Sequence, residues 1–330
     1  MIFNKKNGTT GEEIQLIRSL PVIAKAVKKS DLKKHNYYAI VRSDGDNMSK
    51  IIERLPVCDS ADDKNGKGLT LTAFSKICLE YCSAVAQCVQ EFKGVPIYSS
   101  GDDLLAIMPC DSGESGTVLN FVKKVNEKFA VMFEPFIKMI EAENDGLPDD
   151  EKIAVPSLSF GISICFKKFP LYEALDDSAK LLFGIAKSKK NCTAISLQKH
   201  SGQSEGLLIY NDGLDDLLRI QKTVLETSDS ASEILLSALY KTEQFSKLFR
   251  EAEGEQINHL FKNTFDAPAH KDNDFVHKDL PEFYRNIRDK KRFLALSEKG
   301  FEEKENDITV FNFAMRMLKF FVEKTGKEGK

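Results

Sequence analysis

No Cys-X-X-Cys pair occurs in the 330 residues, and the seven cysteines (Cys58, Cys78, Cys82, Cys88, Cys110, Cys165 and Cys192) are odd in number. An odd set without paired spacing argues against a disulfide framework and fits a reducing cytoplasm. Cys78, Cys82 and Cys88 fall at helical spacing, which reads as small apolar residues on one helix face, with a metal site as the alternative. The chain also lacks an excess of positive charge. Its formal net charge is −3, so any nucleic-acid contact has to come from a local patch rather than from overall attraction. The first ten residues hold no apolar signal core, and no apolar run is long enough to span a bilayer. The reading is a soluble, cytoplasmic protein without a membrane partner. No internal repeat is visible. What is present is ordinary globular composition, 42% hydrophobic and 29% charged, on a chain long enough for two domains.

Along the chain, a helical lead-in over 1–35 opens with capping-box spacing at Thr10 and Glu13 and carries the apolar stripe Ile14, Ile17, Val22, Ile23 and Val27, bent at Pro21. Lys28, Lys29, Lys33 and Lys34 make a basic patch, either a solvated helix face or a contact for RNA or a partner. From 36 to 210 strand and helix patterns alternate. Residues 37–41 are β-rich, 59–68 read as a loop, and Phe74, Ile77, Cys78, Tyr81, Cys82, Val85, Val89 and Phe92 keep a helical period. Strands over 95–98 and 104–108, separated by 99–103, form a hairpin. A second helix carries Val118, Leu119, Val122, Val125, Phe129 and Phe133, followed by a strand at 158–166, a helix at 171–189 and a strand at 193–197.

The order β-α-β-β-α-β-α-β predicts an α+β fold built on a ferredoxin-like split βαβ unit, an antiparallel sheet with helices on one face, as in polymerase and cyclase palms. From 211 to 330 strand signals stop. Ser230 and Glu233 form another capping box, Ile287, Phe293, Leu294 and the stretch 310–322 look helical, and 264–279 reads as a loop. This predicts an all-α bundle of about four helices ending in a basic tail.

Two motifs carry chemistry. One is Ser43-Asp44-Gly45-Asp46-Asn47-Met48, directly after the first strand; the other is Ser99-Ser100-Gly101-Asp102-Asp103 at the hairpin tip. Each alone could be an ordinary turn. In a split βαβ sheet the first strand and the hairpin lie side by side, which brings Asp44, Asp102 and Asp103 into one small volume. Carboxylates so placed repel one another unless a divalent cation neutralises them. Mg²⁺, or Mn²⁺ in its place, takes oxygen ligands and shares them with substrate phosphates. Asp44, Asp102 and Asp103 are therefore the candidate metal ligands, with the Gly45 carbonyl able to approach the ion. Gly101 suits the tight turn.

The chain resembles the second palm domain of the large subunit of type III CRISPR effector complexes, Cmr-type in particular. The resemblance rests on residues 38–48, 98–105, 157–162, 169–175 and 186–191, and covers about 15–202. More distantly the palm is similar to GGDEF diguanylate cyclases. The resemblance implies synthesis of cyclic oligoadenylate from ATP through 3′–5′ linkages, with pyrophosphate release. It makes Asp44 and Asp102 metal ligands, Asp103 an aid to a second metal or the 3′-hydroxyl, and Lys187 a triphosphate contact preceding Asn191. Ser99, Ser100 and Gly101 line the nucleotide site, and Asp46 stays outside the metal's first ligands. It also implies partners: the other effector subunits with crRNA and target RNA, or a second palm copy.

Departures are Ser100 where the family has Gly in Gly-Gly-Asp-Asp, and Ser49 where it has Gly. No His-Asp dipeptide and no Cys-X-X-Cys occur, so neither the family's HD nuclease nor its zinc site is expected here. The chain reads as a fragment, a split subunit or a reduced relative. The alternative function is a scaffold subunit that binds nucleotide and docks other subunits and RNA. A diguanylate cyclase is disfavoured by Leu104 after the Asp pair.

Overall fold

A computed structural model describes residues 36–56, 69–200, 202, 204–227, 231–265, 274–296, 303–304 and 307–325. The lead-in with Thr10 and Glu13, the lysine patch, Cys58, the 59–68 loop and Ser230 lie outside them. The expected palm elements come in order, with two further helices, α1 and α4, that the sequence pattern did not give: β1 (Tyr37–Asp46), short helix α1 (Met48–Ile52), α2 (Leu71–Glu91), β2 (Val95–Ser100), β3 (Asp103–Pro109), α3 (Val118–Met132), α4 (Glu134–Glu143), β4 (Ser157–Phe166), α5 (Leu171–Ala179) and β5 (Cys192–Gln198). The strand run at 37–41 is longer than its apolar residues suggested, so Asp44-Gly45-Asp46 forms the end of β1 rather than the turn beyond it. Pairing with β4 continues to Asp46 opposite Ser157 and holds these polar residues in strand geometry.

The sheet has eight strands in the order β2-β3-β1-β4-β5-β6-β7-β8. β1 is central and antiparallel to both β3 and β4, whereas β4 and β5 run parallel across the α5 crossover. The sheet is therefore mixed, and its helices lie on both faces, not on one. Alternation in β1 explains this: Ala39 and Val41 join the core under α2 and α3, while Tyr38 and Ile40 join a second cluster with Ala174 of α5. Both sets are buried, as a central strand covered on two sides requires.

Three further strands extend the sheet. β6 (Ser204–Tyr210) pairs with β5, and β7 (Phe293–Leu296) pairs with β6 and with the two-residue β8 (Glu303–Lys304). Phe293 and Leu294, expected in a helix, thus lie in a strand: a four-residue apolar run has no resolvable period, and an open sheet edge decides it. The rest of the C-terminal region is helical: α6 (Asn211–Thr227), α7 (Ala231–Gln244), α8 (Ser246–Glu251), α9 (Glu255–Thr264), α10 (Leu280–Lys290) and α11 (Asp307–Thr325). A π-helical turn at Phe275–Asp279 leads into α10, where a loop was expected through 279. Phe121 of α3, Phe261 of α9, Phe283 of α10 and Phe311 of α11 belong to one apolar core that continues across residue 210. None of the described helices is long and apolar enough to cross a membrane.

The expected helix at 171–189 contains a π-helical stretch, Lys180–Ala186, before a last α-turn, Lys187–Lys189. It seats on Gly161 of β4. A Cβ there would stand 2.4 Å from the Ser178 carbonyl oxygen and 2.5 Å from the Leu182 nitrogen, both backbone atoms. Gly161→Ala must push helix from sheet. Overpacking of this kind costs about 1–3 kcal/mol, so the denaturant midpoint should fall clearly; an unchanged midpoint would show that the helix is not seated this way.

Candidate active site

Residues 101 and 102 form the two-residue hairpin between Ser100 and its pair Asp103. Gly101 has φ +62° and Asp102 is not among the positive-φ residues, the pattern of a turn with glycine first. The turn aims Asp102 back at β1, where the Gly45 amide donates to its Oδ2 at 3.1 Å. Only glycine tolerates this approach, since a Cβ at position 45 would lie 2.3 Å from Asp102 Oδ2. The β1–β3 register pairs Ser43 with Leu104, so Asp44 and Asp103 follow as the next opposed pair. One carboxylate oxygen each from Asp44, Asp102 and Asp103 lies within 4.8 Å of the others, the convergence that the two motifs predict.

Among the described residues, one ammonium offsets this charge. Lys187, carried over the sheet by the π-interrupted helix, places Nζ 2.6 Å from Asp44 Oδ2 and 3.0 Å from Asp46 Oδ1. The same Nζ donates to the Gly45 carbonyl at 2.5 Å. Asp46 is the fixed member. Its side chain is fully buried, and its Oδ2 accepts from Ser157 Oγ at 3.0 Å, Ser159 Oγ at 2.7 Å and the Asn191 amide at 3.0 Å. Around it the backbone adopts positive φ at Asn47, Lys190 and Asn191, a local concentration of uncommon conformations typical of functional sites.

The other nucleotide-site candidates divide. Ser100 is exposed beside Asp103, and a Cβ on Gly101 would meet open space. Ser99 is turned the other way, its hydroxyl donating to the Cys82 carbonyl of α2 at 2.8 Å. Asn191 stands behind the carboxylates, holding Asp46 through its amide and accepting from Asn211 Nδ2 at 2.8 Å. Sequence reasoning gave no role to Ser157 and Ser159; their signal was a small, hydroxyl-bearing face of β4, with Ser157, Ser159, Gly161 and Ser163, opposite its apolar face of Leu158, Phe160 and Ile162. Of the three helical cysteines, Cys88 is buried and Cys78 half-buried, and burial pushes the Cys78 thiol up to about 11.

Burial, a hydrogen bond shared with Asp44 and the charges of Asp44 and Asp102 push the Asp103 carboxyl up to about 7. Burial likewise raises Asp102. The cluster therefore favours a shared proton at neutral pH or a cation in its place. The donor set, carboxylate oxygens with a backbone carbonyl and no nitrogen or sulfur, fits a hard divalent ion, and Lys187 Nζ already stands as a cation against Asp44 and the Gly45 carbonyl.

A strand end and a hairpin tip that pool carboxylates beside a helix-borne lysine, on this sheet order, define a palm-type domain. Residues 37–196 match the family model described as Cas10/Cmr2, second palm domain, and that stretch is a Cas10/Cmr2-type second palm domain of the kind found in type III CRISPR effectors. A curated relative, the CRISPR system Cmr subunit Cmr2 of Pyrococcus furiosus, is 31% identical over 183 residues, covering 50% of this chain and 19% of its own. The chain thus spans about a fifth of that relative's length. Among solved structures, the apo type III-B Cmr-beta complex matches with TM-score 0.52 and 15% identity over 92% of this chain and 40% of the matched one. Csm1 of T. onnurineus matches with TM-score 0.51 and 13% identity over 87% and 38%. At these identities the two structures establish the fold.

Half-buried Asp103 and buried Asp46 should respond oppositely to neutralisation. Asp103 has a folded pKa raised far above its ordinary 3.8, so its contribution to stability is retained at low pH and lost as pH rises through about 7. In chelator at pH 8, Asp103→Asn should melt above wild type, with the gap closing toward pH 4; a variant that melts below wild type at pH 8 contradicts this. Asp46→Asn strands hydrogen-bond donors and frees Lys187. It should lower stability by about 1–3 kcal/mol at pH 8, read as a reduced denaturant midpoint, and a midpoint at or above wild type would refute the tether.

Proposed function

We propose that the chain is a metal-dependent nucleotidyl cyclase of type III CRISPR immunity that converts ATP into cyclic oligoadenylate. The supporting observation is the convergence of Asp44, Asp102 and Asp103 within 4.8 Å at the open end of a Cas10/Cmr2-type palm. In the reaction, the 3′-oxygen of one nucleotide forms a bond to the α-phosphorus of another. The bond from that phosphorus to the bridging oxygen of the β-phosphate breaks, pyrophosphate leaves, and the hydroxyl proton is lost. The last such step closes the ring.

Asp44, Asp102, Asp103 and the Gly45 carbonyl would hold Mg²⁺ or Mn²⁺, which when bound lowers the pKa of an attacking hydroxyl and screens phosphate charge. The remaining work falls to the protein's own groups. Asp46 anchors Lys187, so the ammonium remains beside Asp44 as a donor for the triphosphate. Asp103 would assist with a second ion or with the 3′-hydroxyl. Ser100, in place of a glycine, offers its hydroxyl to a phosphate oxygen at the exposed rim. Gly45 and Gly101 keep the approach free of side chains. Because the matched relative is some five times longer than the region it shares with this chain, the reading includes partners: the other effector subunits with crRNA and target RNA, or a second palm copy.

The test is incubation of the chain, alone and assembled with effector subunits and target RNA, with Mg²⁺ or Mn²⁺ and each nucleoside triphosphate, followed by mass spectrometry. ATP should yield oligoadenylates and pyrophosphate. Asp102→Ala should lower the yield by more than about 100-fold, the upper range for losing a mere outer-sphere partner. Equal behaviour of wild type and Asp102→Ala in the full assembly would end the proposal.

A further inference from the structure

Asp46 takes its hydroxyl and amide donors from two separate stretches of chain. Ser157 Oγ and Ser159 Oγ belong to β4, whereas the Asn191 amide belongs to the turn before β5. The β4–β5 ladder begins only at Phe160 and Thr193, so strand pairing does not fix the distance from Leu158 to Asn191. Asn211 bridges it. Its Nδ2 donates to Asn191 Oδ1 at 2.8 Å, to the Leu158 carbonyl at 3.2 Å and to Asn126 Oδ1 of α3 at 3.3 Å. Leu158 is the residue between the two serines. The Asn211 amide also donates to the Asn191 carbonyl at 3.0 Å. Asn191 takes φ +50°, an uncommon conformation that its surroundings have to hold, and Asn211 donates to it twice.

This is not the usual work of an asparagine at a helix start. There the side-chain oxygen accepts from an amide of the first turn. Asn211 Oδ1 is buried and accepts no hydrogen bond. The side chain is used through its donor end, and three facing acceptors set that orientation. The first turn of α6 is in turn fixed to the residue preceding β7. The Tyr210 amide donates to the Arg292 carbonyl at 2.9 Å, and Arg292 Nε pairs with Asp212 Oδ2 at 2.7 Å. A Cβ on Gly213 would lie 2.9 Å from Arg292 Cβ, so the approach is close. Residue 211 lies beyond the palm-domain stretch 37–196.

We infer that Asn211 is a positioning residue for the candidate active site. It holds β4 and the turn before β5 at the separation at which Asp46 keeps Lys187 against Asp44. This makes the reach of Lys187 depend on the seating of α6, and so on the helical region. The inference deepens the nucleotidyl-transfer reading and rests on it for one consequence, the grip of Lys187 on the triphosphate.

The test follows acylation of Lys187 in the full chain by an amine-reactive reagent, read by mass spectrometry without metal or nucleotide. Lys187, held at Asp44, Asp46 and the Gly45 carbonyl, should label slowly. Asp46→Asn should raise its rate about fivefold or more, and Asn211→Ala and the same-sized Asn211→Asp should do likewise. Exposed Lys76 and Lys138 should keep their rates. Asn211→Ala added to Asp46→Asn should change little further, as expected of residues acting through one another. In whichever form turns over ATP, alone or assembled, Asn211→Ala should raise the KM for ATP with kcat changed less, and should not raise it further in Lys187→Ala. An unchanged Lys187 rate in both Asn211 variants, with Asp46→Asn accelerated, overturns the positioning role and leaves the tether. Equal acceleration at Lys76 and Lys138 also overturns it, as general loosening. The expected labelling in a wild type that makes no product in the full assembly overturns the nucleotidyl-transfer reading and leaves the role of Asn211 standing.

Discussion

Everything at the open end of the sheet is organised around unlike charges held at short range. Asp44, Asp102 and Asp103 would drive one another apart, and the fold opposes this in two ways. Lys187 supplies a compensating charge 2.6 Å from Asp44, and the Gly45 amide donates to Asp102. Lys187 must itself be held, and Asp46 does this from a fully buried position. Asp46 can be buried as an anion because every donor around it is satisfied by it: two serines of β4, one backbone amide and the ammonium. A buried charge is tolerated only with such a complete set of partners.

The fold explains why those donors arrive together. β4 lies beside β1 and presents Ser157 and Ser159 opposite the carboxylate end. The crossover from β4 to β5 must pass over the same face, and its helix contacts β4 at Gly161, where a side chain would not fit. The π-helical stretch ends one residue before Lys187. A π-turn inserts an extra residue and rotates the helix beyond it, so the lysine's direction depends on that turn. Packing at Gly161 and charge at Asp44 are in this sense one problem, solved by one helix.

Continuity of the core across residue 210 gives the helical region a physical link to this arrangement. Asn211, the first residue of α6, donates to Asn191 Oδ1 and to the Leu158 carbonyl, both one step from Asp46. β7 and β8 lengthen the sheet beyond β6, and the aromatic residues of α9, α10 and α11 pack into the apolar cluster that also holds α2 and α3. The palm thus rests on the helical region as well as preceding it.

Much of this was legible in the residues. Period and turn chemistry located β1 to β5 and their helices, because each is long enough, or bounded sharply enough, for alternation to speak. Asp44, Asp102 and Asp103 were legible as a trio because a strand order is enough to place a strand end beside a hairpin tip. The later elements were not. Phe293 to Leu296 is too short to declare a period, and strand β6 comes after a stretch with no turn signal as plain as the hairpin's. The helix over 171–189 was expected but its place on the second face was not, since a strand buried on both sides does not say what covers each. The sequence alone therefore determined strands β1 to β5, the long helices between them and the acidic trio, all local matters of spacing and chemistry. The tertiary structure decided the rest: that Asp46 turns inward to hold Lys187 while Asp44 faces its neighbours, that Ser99 is spent on α2, and that Arg42 reaches Ser178 of α5. These depend on which atoms meet across 17 to 145 residues of sequence, and no local pattern carries that information, because contact at such range is set by packing of the whole sheet and its helices.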